Sequence, residues 1–260
     1  MTVKTPKVSC LCLSYKRVDN LRNVIKCFDA QSYENKELVI VYRSTDEETK
    51  SFLRDINDER IKCVEVVYKD DTTLGDVRNI SIAEASGEYI CIWDDDDWYH
   101  SDRIKSQLEA ITGSGKQASV LFYLLMYDKK HGVTYMSPRH TWEQTLMCSK
   151  EFLKDNGVTY PALNRGEDSV FVKQLIELNA IVPLVNPQLY IYCYNGSNTC
   201  DEGHFEMLFG YAQKLSAEHT ATVGRVYECE HDVIEGSSLI SDARFSREFR
   251  YVWDVPAGQH

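Results

Sequence analysis

Residues 94–97 are four consecutive aspartates, preceded by the apolar run YICIW and followed by WYH. If the chain stays extended there, alternate side chains share a face, so Asp94 and Asp96 point one way and Asp95 and Asp97 the other. Two carboxylates roughly 6 Å apart repel by about 3 kcal/mol at an effective dielectric near ~20, and a cluster compounds the cost. Raised pKa values, basic partners or a divalent cation could offset it, and an oxygen-only ligand set favours Mg²⁺ or Mn²⁺. An acidic run is ordinarily a solvated turn. Here the apolar residues before it read as a buried strand, and open α/β sheets bind ligands at the C-terminal ends of strands.

Such a loop must be carried by a sheet. In the first hundred residues, β-branched runs at 8–14, 37–42, 61–68 and 88–93 alternate with amphipathic stretches at 18–30, 46–56 and 74–85. That is the pattern of βαβ units, an α/β fold with a mainly parallel central sheet flanked by helices. Beyond the aspartates the spacing predicts a helix over 102–111 and a hairpin of strands at 118–127 and 132–136 about the turn DKKHG. A short helix in SKEFLKDNG, a longer one in GEDSVFVKQLIELN, strands at 181–185 and 188–194 and a helix over 204–215 follow. The segment after 218 is more charged and less periodic, so it reads as a C-terminal extension, 219–260, on a single domain, 1–218.

Composition narrows the function. A net charge of −11 over 260 residues excludes a broad nucleic-acid surface, though not a small phosphorylated ligand held by a metal. No stretch approaches the ~18 apolar residues of a membrane span, and the N-terminus lacks the pattern of a cleavable signal, so the expectation is a soluble, cytoplasmic protein. The nine cysteines are scattered, several in apolar runs, without a CxxC pair, which predicts buried reduced thiols. TGSGKQ at 112–117 lacks the first glycine and the Ser/Thr of a phosphate loop and reads as a turn.

The stretch LGDVRNISIAEASGEYICIWDDDDW resembles, in order and spacing, the glycine, Arg-Asn, small-Gly-Glu-Tyr and DxD sequence of a family 2 glycosyltransferase of the GT-A fold. VSCLCLSYKR is similar to that family's first strand and the loop bordering the nucleotide, NRGEDSVF to its Glu-Asp motif, and YNGSNTCDEGHF to a segment that closes the site. The resemblance covers roughly residues 7–215 and implies a donor-nucleotide half, about 1–97, and an acceptor half, about 98–218. It implies metal binding by Asp94 and Asp96, a ribose contact for Asp95, and donor contacts from Ser14, Tyr15 and Arg17, with Asp76 and Arg78 in the helix flanking the nucleotide. It also implies Asp168 as catalytic base, with Glu167 on the acceptor side. Trp98 and Trp142 would stack on acceptor sugars or belong to the core, and His204 is either a ligand near the metal or an ordinary helix-start histidine. The activity implied is metal-dependent, inverting transfer of a sugar from a nucleotide-diphosphate donor to a saccharide or glycolipid acceptor, in surface polysaccharide biosynthesis. A lipid-linked acceptor would bring peripheral membrane contact.

One stretch departs from the pattern. Where family members carry DDGS after the second strand, this chain has IVYRSTDEET, with Tyr42 and Arg43 in place of both aspartates. Tyr42 would stack on the base and Arg43 would pair with phosphate. Two other readings share these residues. A metal-dependent nucleotidyltransferase would need a lysine- and glycine-rich phosphate loop where SYKRVDN stands, and a non-catalytic nucleotide- or sugar-binding relative is favoured by the altered VYRS.

Overall fold

The computed structural model describes residues 5–196, 198, 202–243 and 245. Apolar runs and amphipathic stretches alternate along the chain as β1 (Val8–Ser14), α1 (Val18–Asp29), β2 (Lys36–Arg43), α2 (Glu47–Arg54), β3 (Ile61–Val66), α3 (Leu74–Glu84) and β4 (Tyr89–Ile92). Next come β5 (Trp98–Tyr99), α4 (Arg103–Ser114), β6 (Ala118–Leu121), β7 (Leu125–Asp128), β8 (Val133–Met136), a 3₁₀ turn (Glu143–Thr145), β9 (Met147–Ser149) and α5 (Lys150–Asp155). The chain continues through α6 (Glu167–Glu177), β10 (Ile181–Leu184), β11 (Tyr190–Tyr194), α7 (Glu202–Tyr211), β12 (Gln213–Lys214), α8 (Ala217–Tyr227) and α9 (Val233–Asp242).

The main sheet runs β10-β6-β9-β4-β1-β2-β3, and β9 alone is antiparallel to its neighbours. Side-chain alternation sends Cys10, Cys12, Leu38 and Ile40 to the face covered by α1 and α4, and Leu11, Val39 and Val41 to the face covered by α3 and α6. Burial on both faces explains why these strands read as continuous apolar runs. A second, smaller sheet runs β12-β8-β7-β11-β5.

The run expected as one strand over 118–127 divides instead. β6 ends at Leu121 in the main sheet and β7 begins at Leu125 in the second, with Tyr123 and Leu124 buried in the crossing. The hairpin itself forms, β7 against β8. The described cysteines are all free thiols, six of them buried. No helix among the described residues is long and apolar enough to cross a membrane.

One close approach fixes the site's two halves. The Gly75 amide in α3 donates to the Leu163 carbonyl at 3.0 Å, and a Cβ at Gly75 would lie 1.8 Å from the Pro161 carbonyl oxygen. Alanine improves helix propensity by ~1 kcal/mol, but a backbone clash cannot be relieved by a rotamer change. Gly75→Ala is therefore expected to lower stability by about 2 kcal/mol or more in urea unfolding; a neutral or stabilising result would mean that α3 and the 161–163 turn are not held in this contact.

Candidate active site

β4 stops at Ile92, and Asp95 and Asp96 lie in a turn, so the four carboxylates are not sorted by strand geometry. Their burial still alternates: Asp94 and Asp96 are partly exposed while Asp95 and Asp97 are buried. Asp95 accepts from Ser14 Oγ at 2.7 Å and from Arg17 at 2.9 Å. The same Arg17 nitrogen reaches Asp96 at 3.1 Å, and the Asn198 amide donates to the same Asp96 oxygen at 3.0 Å. Asp97, which had no expected partner, accepts from the Tyr190 hydroxyl and from the Cys193 amide. Burial pushes all four carboxyls above the usual range; Asp95 and Asp94 add to the rise at Asp96, while Arg17 opposes it at both Asp95 and Asp96.

The segment expected to be an extension props this loop from behind. Tyr227, at the end of α8, donates its hydroxyl to the Asp96 carbonyl at 2.9 Å. From α9, the Ser237 hydroxyl accepts from the Ser101 amide at 2.9 Å, and the Ser237 carbonyl meets the His100 ring at 3.1 Å. Tyr227 and Cys229 line a small crevice of ≈ 20 Å³ together with Asp95, Asp96 and Asp97. Residues 246–260 of the expected extension lie outside the described residues.

The N-terminal turn of α6 lies near the aspartate loop, close enough for Asp168 to act on the Asp94 carboxyl. Asp168 is partly exposed there, and its Oδ1 accepts the Ser169 amide at 2.6 Å. Glu167 is 3% exposed and accepts from Arg78 Nε at 3.2 Å, so its carboxylate is committed to an internal pair rather than presented to an acceptor. Arg78 thereby departs from the donor role expected of it. Its guanidinium also lies 3.8 Å from Glu143 and joins α3 to the 3₁₀ turn. Burial alone would pull Arg78 down, yet Glu143, Tyr160, Asp94 and Glu167 hold its charge. Asp76 caps its own helix in a reciprocal box with Thr73, at 2.9 and 3.2 Å.

Glu143 went unnoticed in the sequence. It is buried in the 3₁₀ turn, accepts from the Tyr160 hydroxyl, and is pushed up to about 7 by burial, against the pull of Arg78 and with a push from Asp94 and Asp168. Asp94 and Glu143 thus both lie in the fields of Arg78, which lowers them, and of Asp168, which raises them.

At the end of β2, Tyr42 is a core residue whose hydroxyl donates to Glu65 at 3.4 Å, so its ring is not available for stacking. Arg43 projects the other way, its guanidinium 4.5 Å from the Tyr15 ring centre and 4.0 Å from that of Tyr68. Asp46, the next carboxylate along, caps α2 through the Thr49 amide at 3.1 Å and holds the Lys16 amide at 2.6 Å. Trp98 and Trp142 are both core residues, 3% and 6% exposed. His204 is partly buried in α7, its ring edge-on to Phe205 at 5.6 Å. Of the YNGSNTCDEGHF segment, residues 197 and 199–201 lie outside the described residues.

Asp94 and Asp96 suit a hard cation. Among the described residues no three His, Cys, Asp or Glu side chains converge as a ready-made metal cage. Magnesium-like ions, however, are commonly held by one or two carboxylates completed by substrate phosphates and water.

The model of glycosyl transferase family 2 matches residues 9–162, a range that includes the aspartate loop and stops short of Asp168. The chain is 28% identical over 101 residues to the Escherichia coli UDP-Glc:alpha-D-GlcNAc-diphosphoundecaprenol beta-1,3-glucosyltransferase WfaP, covering 39% of each chain. It spans about half or less of the curated relatives it matches. In fold it is similar to Staphylococcus aureus TarS 1-349 in complex with UDP-GlcNAc, with a TM-score of 0.60, 17% identity and coverage of 90% of this chain and 75% of that one. It is also similar to the mannosyltransferase PcManGT from Pyrobaculum calidifontis in complex with GDP-Man and Mn²⁺, with a TM-score of 0.58, 13% identity and coverage of 98% and 78%.

Proposed function

The chain belongs to glycosyl transferase family 2 and has the GT-A-like fold of its structural neighbours, and on that premise we propose that it transfers a sugar from a nucleoside diphosphate donor to a saccharide or glycolipid acceptor, inverting the anomeric centre. One observation carries the reading: Asp94, two residues past β4, lies close enough to Asp168, at the start of α6, for the Asp168 charge to add to the rise of the Asp94 carboxyl. A displacement at an anomeric carbon needs negative charge neutralised on one side and a proton removed on the other.

Asp94 and Asp96 would hold Mn²⁺ or Mg²⁺, which when bound supplies Lewis-acid stabilisation of the leaving diphosphate. Asp168 would accept the proton of the acceptor hydroxyl. Ser14 and Arg17 would hold the donor side in register through Asp95. Tyr15, Arg43 and Tyr68 would make the platform for the base in place of the missing carboxylate pair. Trp98 and Trp142 drop out of the acceptor site because they are buried. The UDP-GlcNAc bound by TarS, the GDP-Man bound by PcManGT and the UDP-Glc used by WfaP support a nucleotide-sugar donor, and the GlcNAc-diphosphoundecaprenol acceptor of WfaP supports a diphosphate-linked lipid acceptor.

A thermal-shift panel of uridine and guanosine diphosphate sugars, each with and without Mn²⁺, tests the reading. One donor at 100 times its dissociation constant should stabilise the fold by ~2.7 kcal/mol, in a Mn²⁺-dependent manner. No stabilisation by any nucleoside diphosphate with metal present would overturn it.

A further inference from the structure

Arg103, the first residue of α4, is fully buried, and among the described residues no ion pair within 4.0 Å includes it. Its guanidinium donates to the Ile92 carbonyl at 2.9 Å, the Gln144 carbonyl at 3.3 Å and Gln107 Oε1 at 3.1 Å, while Nη1 has no partner among the described residues. Three aromatic rings enclose it, Trp93 at 5.0 Å, Tyr99 at 4.7 Å and Tyr190 at 5.0 Å. An arginine keeps its charge at any physiological pH, and burying that charge without a counter-ion is costly.

The missing counter-ion lies one ring further out. Tyr190 donates its hydroxyl to the Asp97 carboxylate, and Tyr99 donates to the Asp94 carbonyl at 2.7 Å. The Ile92 carbonyl that Arg103 holds is the last of β4, two residues before Asp94. The cation, two phenols and the aspartate loop thus form layers, with the phenol hydroxyls on the acidic side. Cation–π attraction alone does not require this order; the placement of both hydroxyls on the loop does.

We propose that Arg103 is the buried counter-charge of the aspartate loop, a positioning residue whose field, passed through Tyr99 and Tyr190, offsets the crowding of Asp94 to Asp97 and tempers their attraction for a cation. The inference deepens the cation site proposed above, and only its Mn²⁺ arm rests on that reading.

Two measurements on the full chain test it. In Mn²⁺ titrations followed by electron paramagnetic resonance at fixed pH and low salt, Arg103→Met should bind Mn²⁺ at least ~5-fold tighter than the parent, because a positive charge near the site has been removed. Arg103→Lys should stay close to the parent. A purely structural arginine would give the opposite sign, with the Met variant binding Mn²⁺ equally or more weakly, and that result overturns the proposal. In thermal unfolding without metal, Asp97→Asn should recover a large part of the melting temperature lost in Arg103→Met, including recovery of folding if the single variant does not fold. Additive losses, or a double variant that stays unfolded, would also overturn it. Failure of the parent chain to bind Mn²⁺ with this thermal coupling intact would count against the proposed function and leave the counter-charge standing.

Discussion

Asp168→Asn is expected to reduce sugar transfer by ~10²- to 10⁴-fold, about 3–5 kcal/mol of transition-state stabilisation, while nucleoside diphosphate binding stays within about 2-fold of the parent. Asparagine keeps the shape of the side chain and can still accept the Ser169 amide, but it cannot take a proton from an acceptor hydroxyl. The site is only partly exposed and its neighbour Glu167 is committed to Arg78, so no adjacent carboxylate stands in. Steady-state kinetics with a fixed donor and varied acceptor, beside calorimetric titration of the diphosphate, separate the two effects. Retention of transfer would remove Asp168 from the base position.

Asp96→Asn is expected to act in two opposite directions. Mn²⁺ should no longer strengthen donor binding, a loss of at least ~10-fold or about 1.4 kcal/mol. Without metal, the variant should melt higher than the parent, with a gain of about 1 kcal/mol. The second effect follows from the competition at this carboxylate: Asp96 receives Arg17 at 3.1 Å and Asn198 at 3.0 Å, yet burial beside Asp95 and Asp94 still pushes it up, so the costs of its charge exceed what its partners return. Neutralising it relieves that cost, and Arg17 keeps Asp95. Binding sites commonly hold such locally unfavourable arrangements, which a ligand then relieves. A variant that loses both Mn²⁺ response and stability would instead point to Asp96 as a structural partner of Arg17.

The parts of the molecule that the sequence made legible are those where burial imposes a period. β1, β2 and β4 are buried on both faces and read as apolar runs, and α1 shows Leu21, Val24 and Phe28 on one side because that side meets the sheet. The change of sheet between Leu121 and Leu125 has no local signature, since both strands are apolar and only their partners differ. β5 and β9, of two and three residues, are too short to show a period at all.

Site residues divide in a similar way. The aspartate loop is visible because its charge conflicts with the apolar strand before it. The destination of a long side chain is not: Arg78 sits in the helix expected to flank the donor, but its guanidinium crosses to Glu167, 89 residues away. Partners that arrive from distant elements, such as Tyr190 for Asp97 or Tyr227 for the Asp96 carbonyl, leave no mark near the loop. Arg103 did leave one. Together with Gln107 it interrupts the buried face of α4 otherwise made by Ile104, Leu108 and Ile111, and a polar pair on an apolar helix face is a sign of internal work to be done.

The central claim is that the aspartate loop and Asp168 serve one reaction from opposite sides of one cleft. A structure of the chain with a nucleoside diphosphate sugar and Mn²⁺ tests this most directly. The account predicts the metal on Asp94 and Asp96, the diphosphate against it, the base beside Tyr15 and Arg43, and the Asp168 carboxylate on the face of the anomeric carbon opposite the leaving phosphate. A donor bound away from the aspartates, or an anomeric carbon whose open face is turned from Asp168, would contradict it.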